Sequence, residues 1–344
     1  MNNQKLLKEL SKLIGKKPTF RNIKSNKRPI GFSKDSIPEV SEGYAVSEKA
    51  DGLNVLLITD SENTIFIGLT ENVYKINLSD KALKCFTSLT VMECEYFEEH
   101  NTFSVFDVIV LNGVNIANKT FTQRYKAVKS IIKGLEFSDG MFMKQFYFPR
   151  KKTKIFNYAI MILKKRFKYE TDGIIFMPTK NMYYDKSVKI YKWKPQENIT
   201  VDFLCSKVRS ELDIKDTYNV LVGINPYDFS KLKLYNLPWF KSFKKPRSKY
   251  FPILFRPKKE WPKSHVMIGK IEGYDSLDDL IIECRWSGDH WTPVLVRDDK
   301  TVAYHKCKKE NKFMGANNWK VAIATLKEAM DPVSKADFAK LYKA

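Results

Sequence analysis

The stretch 44-YAVSEKADGLNVLLI-58 is a β-rich run, a break at Asp51-Gly52 and a second β-rich run. Asp-Gly between two such segments is a hairpin signal, so the local reading is two strands joined by a hairpin-like break. A surface hairpin explains the Asp-Gly but gives Lys49, two residues earlier, no task. A lysine acts as a nucleophile only when its amine is neutral, which requires burial or neighbouring cations. The rest of the chain has to decide between a solvated turn and a reactive lysine.

Outward from this stretch, short β-rich runs continue to about Pro195: "TIFIGLT", "VMECEYF", "FSVFDVIVL", "GIIFMP" and "VKIYKW". Two helical patterns interrupt them, one after Phe121 and one over "KIFNYAIMILKKRF". The order is not a regular βαβα repeat, so the expectation is a mixed α+β domain. After Pro195 new strand patterns appear ("ITVDFLCSKV", "YNVLVGI", "LIIECRW", "WTPVLVRDD"), consistent with a small β-barrel. They are split by a Pro-, Lys- and aromatic-rich region over 236–262, and a helical tail follows with a break at Asp331-Pro332. The expected division is 1–198 and 199–344, with the C-terminal helix assigned to the barrel domain.

At 344 residues the chain is long enough for two cores. No run is long and apolar enough to cross a bilayer, and the first residues form an amphipathic helix pattern without a signal-peptide core, so a cytosol-like compartment and no membrane partner are expected. Five scattered cysteines form no CxxC pair and read as reduced, mostly buried thiols. A formal charge of +21 favours a polyanionic partner, although a solvated basic surface has the same composition.

Several side chains stand out. In "KIYKWKP", Lys192 and Lys194 share one strand face with Trp193 opposite; an anion between them suits a nucleotide phosphate, and an exposed edge strand suits them too. Glu93 and Glu95 share a face in "VMECEYF". Asp172 precedes Gly173 and an apolar run, where a lysine or a divalent ion would supply the partner it needs. Phe106 ends an alternating run and is either core or a surface for stacking a base.

Together, "KADG", "MECEYF" leading into "FSVFDVIVLNG", "TDGIIF" and "KIYKWKP" resemble, in that order, the motif series of the covalent nucleotidyltransferases: DNA ligases, RNA ligases and mRNA capping guanylyltransferases. Arg297, Asp299 and Lys300 in "WTPVLVRDDK" look like the capping-enzyme RxDK motif carried on an OB-fold domain. "KWKP" followed by "VDF" also resembles capping enzymes more than ligases. The tail is similar to the end of the guanylyltransferase module in large cytoplasmic DNA viruses such as poxviruses and African swine fever virus. The resemblance covers roughly Arg28 to Val333 and leaves the extreme N-terminal segment unexplained.

That resemblance implies a mixed-sheet nucleotidyltransferase domain followed by an OB-fold barrel, acting on GTP with Mg²⁺ or Mn²⁺. Lys49 would be the nucleophile that takes GMP. Glu95 would bind the ribose or help position the metal, Phe106 would stack on guanine, Asp172 would assist the ion, and Lys192 and Lys194 would contact the phosphates. Arg297, Asp299 and Lys300 would orient the leaving pyrophosphate. Asn54 stands where many members carry Arg, so that nucleotide contact is weaker or supplied elsewhere, with Arg28 a candidate. The acceptor would be 5′-diphosphate RNA in a host cytoplasm, with the RNA triphosphatase and cap methyltransferase separate or fused. An ATP-dependent ligase using the same lysine, or a nucleic-acid-binding module with a decayed site, are the alternatives.

Overall fold

The computed structural model describes residues 3–16, 23–25, 27–59, 64–67, 73–150, 154–208, 216–232, 250–257, 263–308 and 315–343. The chain divides into two compact units, Met1–Lys194 with Val333–Ala344, and Pro195–Pro332.

The first unit is built on two sheets. Its strands are β1 (Ile30–Gly31), β2 (Tyr44–Ala50), β3 (Leu53–Thr59), β4 (Thr64–Ile67), β5 (Val73–Lys75), β6 (Thr90–Phe97), β7 (Thr102–Leu111), β8 (Val114–Asn115), β9 (Met141–Met143), β10 (Thr171–Pro178) and β11 (Tyr191–Trp193). One sheet runs β1-β11-β10-β2; the other runs β5-β4-β3-β6-β7-β8, with β9 added on β7. Parallel pairs (β1 with β11, β7 with β9) occur among antiparallel ones, the mixed α+β arrangement expected.

The expected hairpin at Asp51-Gly52 is not there. β2 pairs with β10 and β3 pairs with β4 and β6, so the chain crosses from one sheet to the other at this point. Neither residue takes the positive φ that a two-residue hairpin turn demands. Glycine is needed at 52 for room: a Cβ there would lie 3.0 Å from the Tyr96 carbonyl oxygen and 3.2 Å from the Phe97 ring.

Both faces of the larger sheet are covered. Val55, Leu57, Met92, Cys94, Phe103 and Val105 pack on one side with Val128 of the helix Phe121–Ile131. On the other side, Leu56, Ile58, Val91 and Ile109 meet Leu6, Leu10 and Ile14. The i, i+4, i+8 stripe of the helix Asn3–Ile14 thus gives the N-terminal segment a place in the core.

The last helix, Lys335–Lys343, was expected with the barrel and belongs instead to the first unit. The helix Trp319–Met330 ends ahead of Asp331-Pro332, and the chain then re-enters the first core. There Phe338, fully buried, packs among Phe32, Phe156, Phe176 and Trp193, and the Trp193 indole N–H donates to the Val333 carbonyl at 2.6 Å.

The second unit contains β12 (Thr200–Lys207), β13 (Thr217–Ile224), β14 (Phe251–Leu254), β15 (Val266–Ile268), β16 (Ile281–Trp286) and β17 (Trp291–Val296). The ring β12-β16-β17-β15-β13 closes through the β12–β13 pairing, and β14 extends β13. This closed five-stranded barrel is the expected OB-type domain, filled by Phe203, Phe255, Trp291 and Trp319. The strand expected to run through Asp299 stops at Val296. Asp298 and Asp299 open the helix Asp298–Lys308, where carboxylates favour the positive end of the helix dipole. Of the basic aromatic region 236–262, residues 236–249 and 258–262 lie outside the described residues.

Phe338→Ala should destabilise the chain by about 3–5 kcal/mol, the usual cost of emptying a buried phenylalanine site. Denaturant unfolding of the full chain checks this, and an unchanged midpoint would mean that the last helix does not complete the first core.

Candidate active site

Asp172 is an extra residue in its strand. Thr171 pairs with Ala50 and Gly173 pairs with Lys49, and the register shift between them leaves Asp172 unpaired in a β-bulge. A bulge re-aims a side chain, and here the carboxylate turns onto two lysines. Lys49 Nζ lies 2.7 Å from Oδ1 and Lys194 Nζ lies 2.5 Å from Oδ2. The Lys49 contact is an ion pair without hydrogen-bond alignment at Oδ1. Burial alone would push the Asp172 carboxyl up; Lys49 and Lys194 outweigh it and hold the group below the usual carboxylate range. Gly173 is required beside it, because a Cβ at this position would fall 2.0 Å from the Trp193 carbonyl oxygen.

Lys192 joins the same face. Ser47, Ile175 and Lys192 lie side by side in three strands, and two positions further along β2 and past the end of β11 stand Lys49 and Lys194. Trp193 points the other way, into the core. The alternative of an exposed edge strand is excluded, since β11 lies between β1 and β10. Ile175 packs on the cluster that holds Phe106, Ala45, Phe121, Tyr125, Phe146 and Met177. Phe106 is therefore largely buried, with 9% of its surface exposed, on the side of the sheet that carries the lysines.

The larger sheet contributes acids. Asn54 and Glu95 are paired across β3 and β6, and the Asn54 amide bonds the Glu95 carboxylate. Burial pushes Glu95 up, opposed by Lys144, Lys49 and Lys24 and by the Asn54 hydrogen bond. Glu93, on the same face, is raised to about 7 by burial, against the attraction of Lys24 and a hydrogen bond from Tyr183. The Tyr183 hydroxyl donates to Glu93 Oε2 at 2.8 Å.

Sequence reasoning missed three contributors. Lys24 donates from Nζ to the Asn54 carbonyl at 2.8 Å, and burial lowers its pKa against the pull of Glu93 and Glu95. Lys144 Nζ lies 3.4 Å from the buried Glu48, whose carboxylate also accepts from Tyr169 and Ser47. Arg124, fully buried, forks onto Asp107 with two bonds of 2.7 Å and ties the helix Phe121–Ile131 to β7. None of these lies in a recognisable motif; the only available signal was that a buried acid needs a cation. Arg28, the candidate for the nucleotide contact that Asn54 leaves open, is exposed.

In the second unit Arg297, Asp299 and Lys300 form their own group around Asp202. Arg297 Nη1 donates to Asp202 Oδ1 at 3.2 Å, Lys300 Nζ to Asp202 Oδ2 at 2.5 Å, and Arg297 Nε to Asp299 at 3.3 Å. The Arg297 side chain keeps the Asp299 carboxyl below its ordinary value. Asp202, in the "VDF" stretch, was the unrecognised hub.

A short strand pairing, a lysine at its end and an acid bulged onto it define a lysine-centred site. The family model for the mRNA capping enzyme catalytic domain matches residues 2–196, more than half of the chain, and the chain belongs to that family. It is 27% identical over 274 residues to the mRNA-capping enzyme of African swine fever virus (isolate Pig/Kenya/KEN-50/1950), covering 73% of this chain and 30% of that relative. The mRNA-capping enzyme subunit alpha of Schizosaccharomyces pombe is 23% identical over 330 residues, covering 86% of this chain and 76% of the relative. Among solved structures, mycobacterial DNA ligase D complexed with ATP and MES is similar at a TM-score of 0.38 and 12% identity, covering 80% of this chain and 94% of that one.

Two outcomes follow from this geometry. Gly173→Ala should lower stability by about 2 kcal/mol or more, because the backbone oxygen opposite cannot yield; a wild-type melt would show that the bulge tolerates a side chain. Glu93 binds a proton in the folded chain with a pKa of about 7 against an ordinary 4.5. Its stabilising contribution is complete below 4.5 and is lost as pH rises through 7. Glu93→Gln, which still accepts from Tyr183, should therefore gain melting temperature over the wild type as pH rises across that window; parallel pH profiles would contradict the assignment.

Proposed function

We propose that this chain is an mRNA guanylyltransferase: it moves GMP from GTP onto Lys49 and then onto the 5′-diphosphate end of RNA, forming a GpppN cap. The observation that supports it most is the placement of Lys49 against Asp172 and Lys194 within the KADG and KIYKWKP motifs. In the first step the Lys49 ammonium gives up a proton to solvent and its nitrogen lone pair attacks the α-phosphorus. The N–P bond forms as the bond to the bridging oxygen breaks, and pyrophosphate leaves. In the second step an oxygen of the RNA β-phosphate attacks the same phosphorus, the N–P bond breaks, and the amine returns.

Asp172, kept ionised by two cations, orients Lys49; its depressed basicity fits an orienting acceptor rather than a proton sink. Lys192 and Lys194 oppose charge growing on the phosphoryl oxygens. Glu95 and Asn54 take the ribose side, and Phe106 borders the base. Arg297 and Lys300, preassembled on Asp202, form a polyphosphate-binding pair.

A divalent ion fits this donor set. Asp172 and Glu95 would offer hard oxygen ligands, the donor type that suits Mg²⁺ or Mn²⁺ shared with substrate phosphates. Such an ion would supply further charge neutralisation at the phosphates.

The chain spans about 30% of the length of the African swine fever virus relatives it matches. Triphosphatase and methyltransferase functions are assigned either to further parts of a longer chain or to separate partners. The charge of +21 suits the RNA backbone. No described helix is long and apolar enough to cross a membrane, and host cytoplasm is the proposed place of action.

Incubation with α-labelled GTP and a divalent cation should give a labelled band that survives denaturation and is discharged by pyrophosphate. Lys49→Ala should abolish it with little change in melting temperature. Labelling by ATP in preference to GTP would replace this reading with that of a ligase.

A further inference from the structure

Each residue of the segment Ile23–Ser25 is tied down. The Ile23 side chain is fully buried against Leu56 and Ile58, and its carbonyl accepts from the Tyr184 hydroxyl at 2.6 Å. The Ser25 backbone N–H donates to the Tyr183 hydroxyl at 3.1 Å, and that hydroxyl donates onward to Glu93. Between them Lys24 reaches the Asn54 carbonyl at 2.8 Å, while the Asn54 amide bonds Glu95. A half-buried lysine fixed this firmly costs side-chain entropy and desolvation, and the phosphoryl-transfer steps described above make no use of it.

The charge balance supplies a reason. Glu93 and Glu95 stand two residues apart on one face of β6, and the buried Lys144 lies within ion-pair distance of Glu48. Lys24, bonded to the Asn54 carbonyl, attracts both β6 acids, and Asn54 is paired with Glu95. We propose that Lys24 is a positioning residue for the nucleoside: through Asn54 and the two glutamates it presents Glu95 to the ribose hydroxyls of the incoming nucleotide. The clasp that anchors it makes the segment ahead of β1 part of the nucleotide site. This rests on the reading of Lys49 as the nucleotidyl acceptor.

The test uses the full chain and the GTP concentration dependence of self-labelling. Lys24→Gln keeps a donor for the Asn54 carbonyl and removes the charge. It should raise half-saturation by GTP about tenfold, the scale of one charge-assisted hydrogen bond, with the saturated rate within about threefold of wild type. Lys24→Arg should recover most of the loss. With 2′,3′-dideoxy-GTP, which lacks the hydroxyls, the penalty of Lys24→Gln should largely vanish, because the two changes remove the same interaction.

An unchanged half-saturation in Lys24→Gln, or an equal loss with GTP and its dideoxy analogue, overturns the proposal. Should Lys24→Gln fail to fold, Asn54→Ala removes the amide on Glu95 and should give the same ribose-dependent loss; a wild-type profile there overturns it equally. A wild-type protein that is never labelled would remove the underlying site reading, whereas labelled wild type with an indifferent Lys24→Gln removes the Lys24 inference alone.

Discussion

Asp172 is the residue on which the arrangement of the first unit's site depends. One carboxylate inserted between the registers of β2 and β10 fixes two ammonium groups that would otherwise repel each other, Lys49 from the end of β2 and Lys194 from just beyond β11. Removing such an acid would leave two cations facing a half-buried void, a costly state in a low-dielectric setting. The requirement extends to Gly173, whose missing side chain lets the Trp193 carbonyl approach, and to Gly52, whose missing side chain lets the chain cross between sheets beside Phe97.

The second unit repeats the device with different residues. Asp202 gathers Arg297 and Lys300 at the entry to a helix whose first turn carries Asp298 and Asp299. In both units a single acid holds two cations in a fixed geometry.

The sequence carried the grouping of Lys49, Asp172, Lys192 and Lys194, because each lies in a short motif whose spacing is local: KADG, TDG, KWKP. It also carried the division into a mixed-sheet unit and a closed barrel. It misread the Asp51-Gly52 break, since the same dipeptide suits a tight hairpin and a crossing between sheets, and only the partners of β2 and β3 tell them apart. It assigned the last helix by proximity along the chain, whereas Phe338 is placed by a core more than a hundred residues away in sequence. Lys24, Lys144 and the Arg124–Asp107 fork were illegible for the same reason: their meaning lies in acids brought close by the fold, and an isolated lysine in a lysine-rich chain carries no signal.

The claim that most of this account hangs on is that one particular lysine, among many, becomes covalently attached to nucleotide. Peptide mapping by mass spectrometry, after incubation with GTP and a divalent cation and with acid avoided throughout, tests it directly. The account predicts a GMP adduct on the peptide that contains Lys49 and on no other. An adduct on Lys24, Lys144, Lys192 or Lys194 with Lys49 unmodified, or no adduct on any peptide, would contradict it.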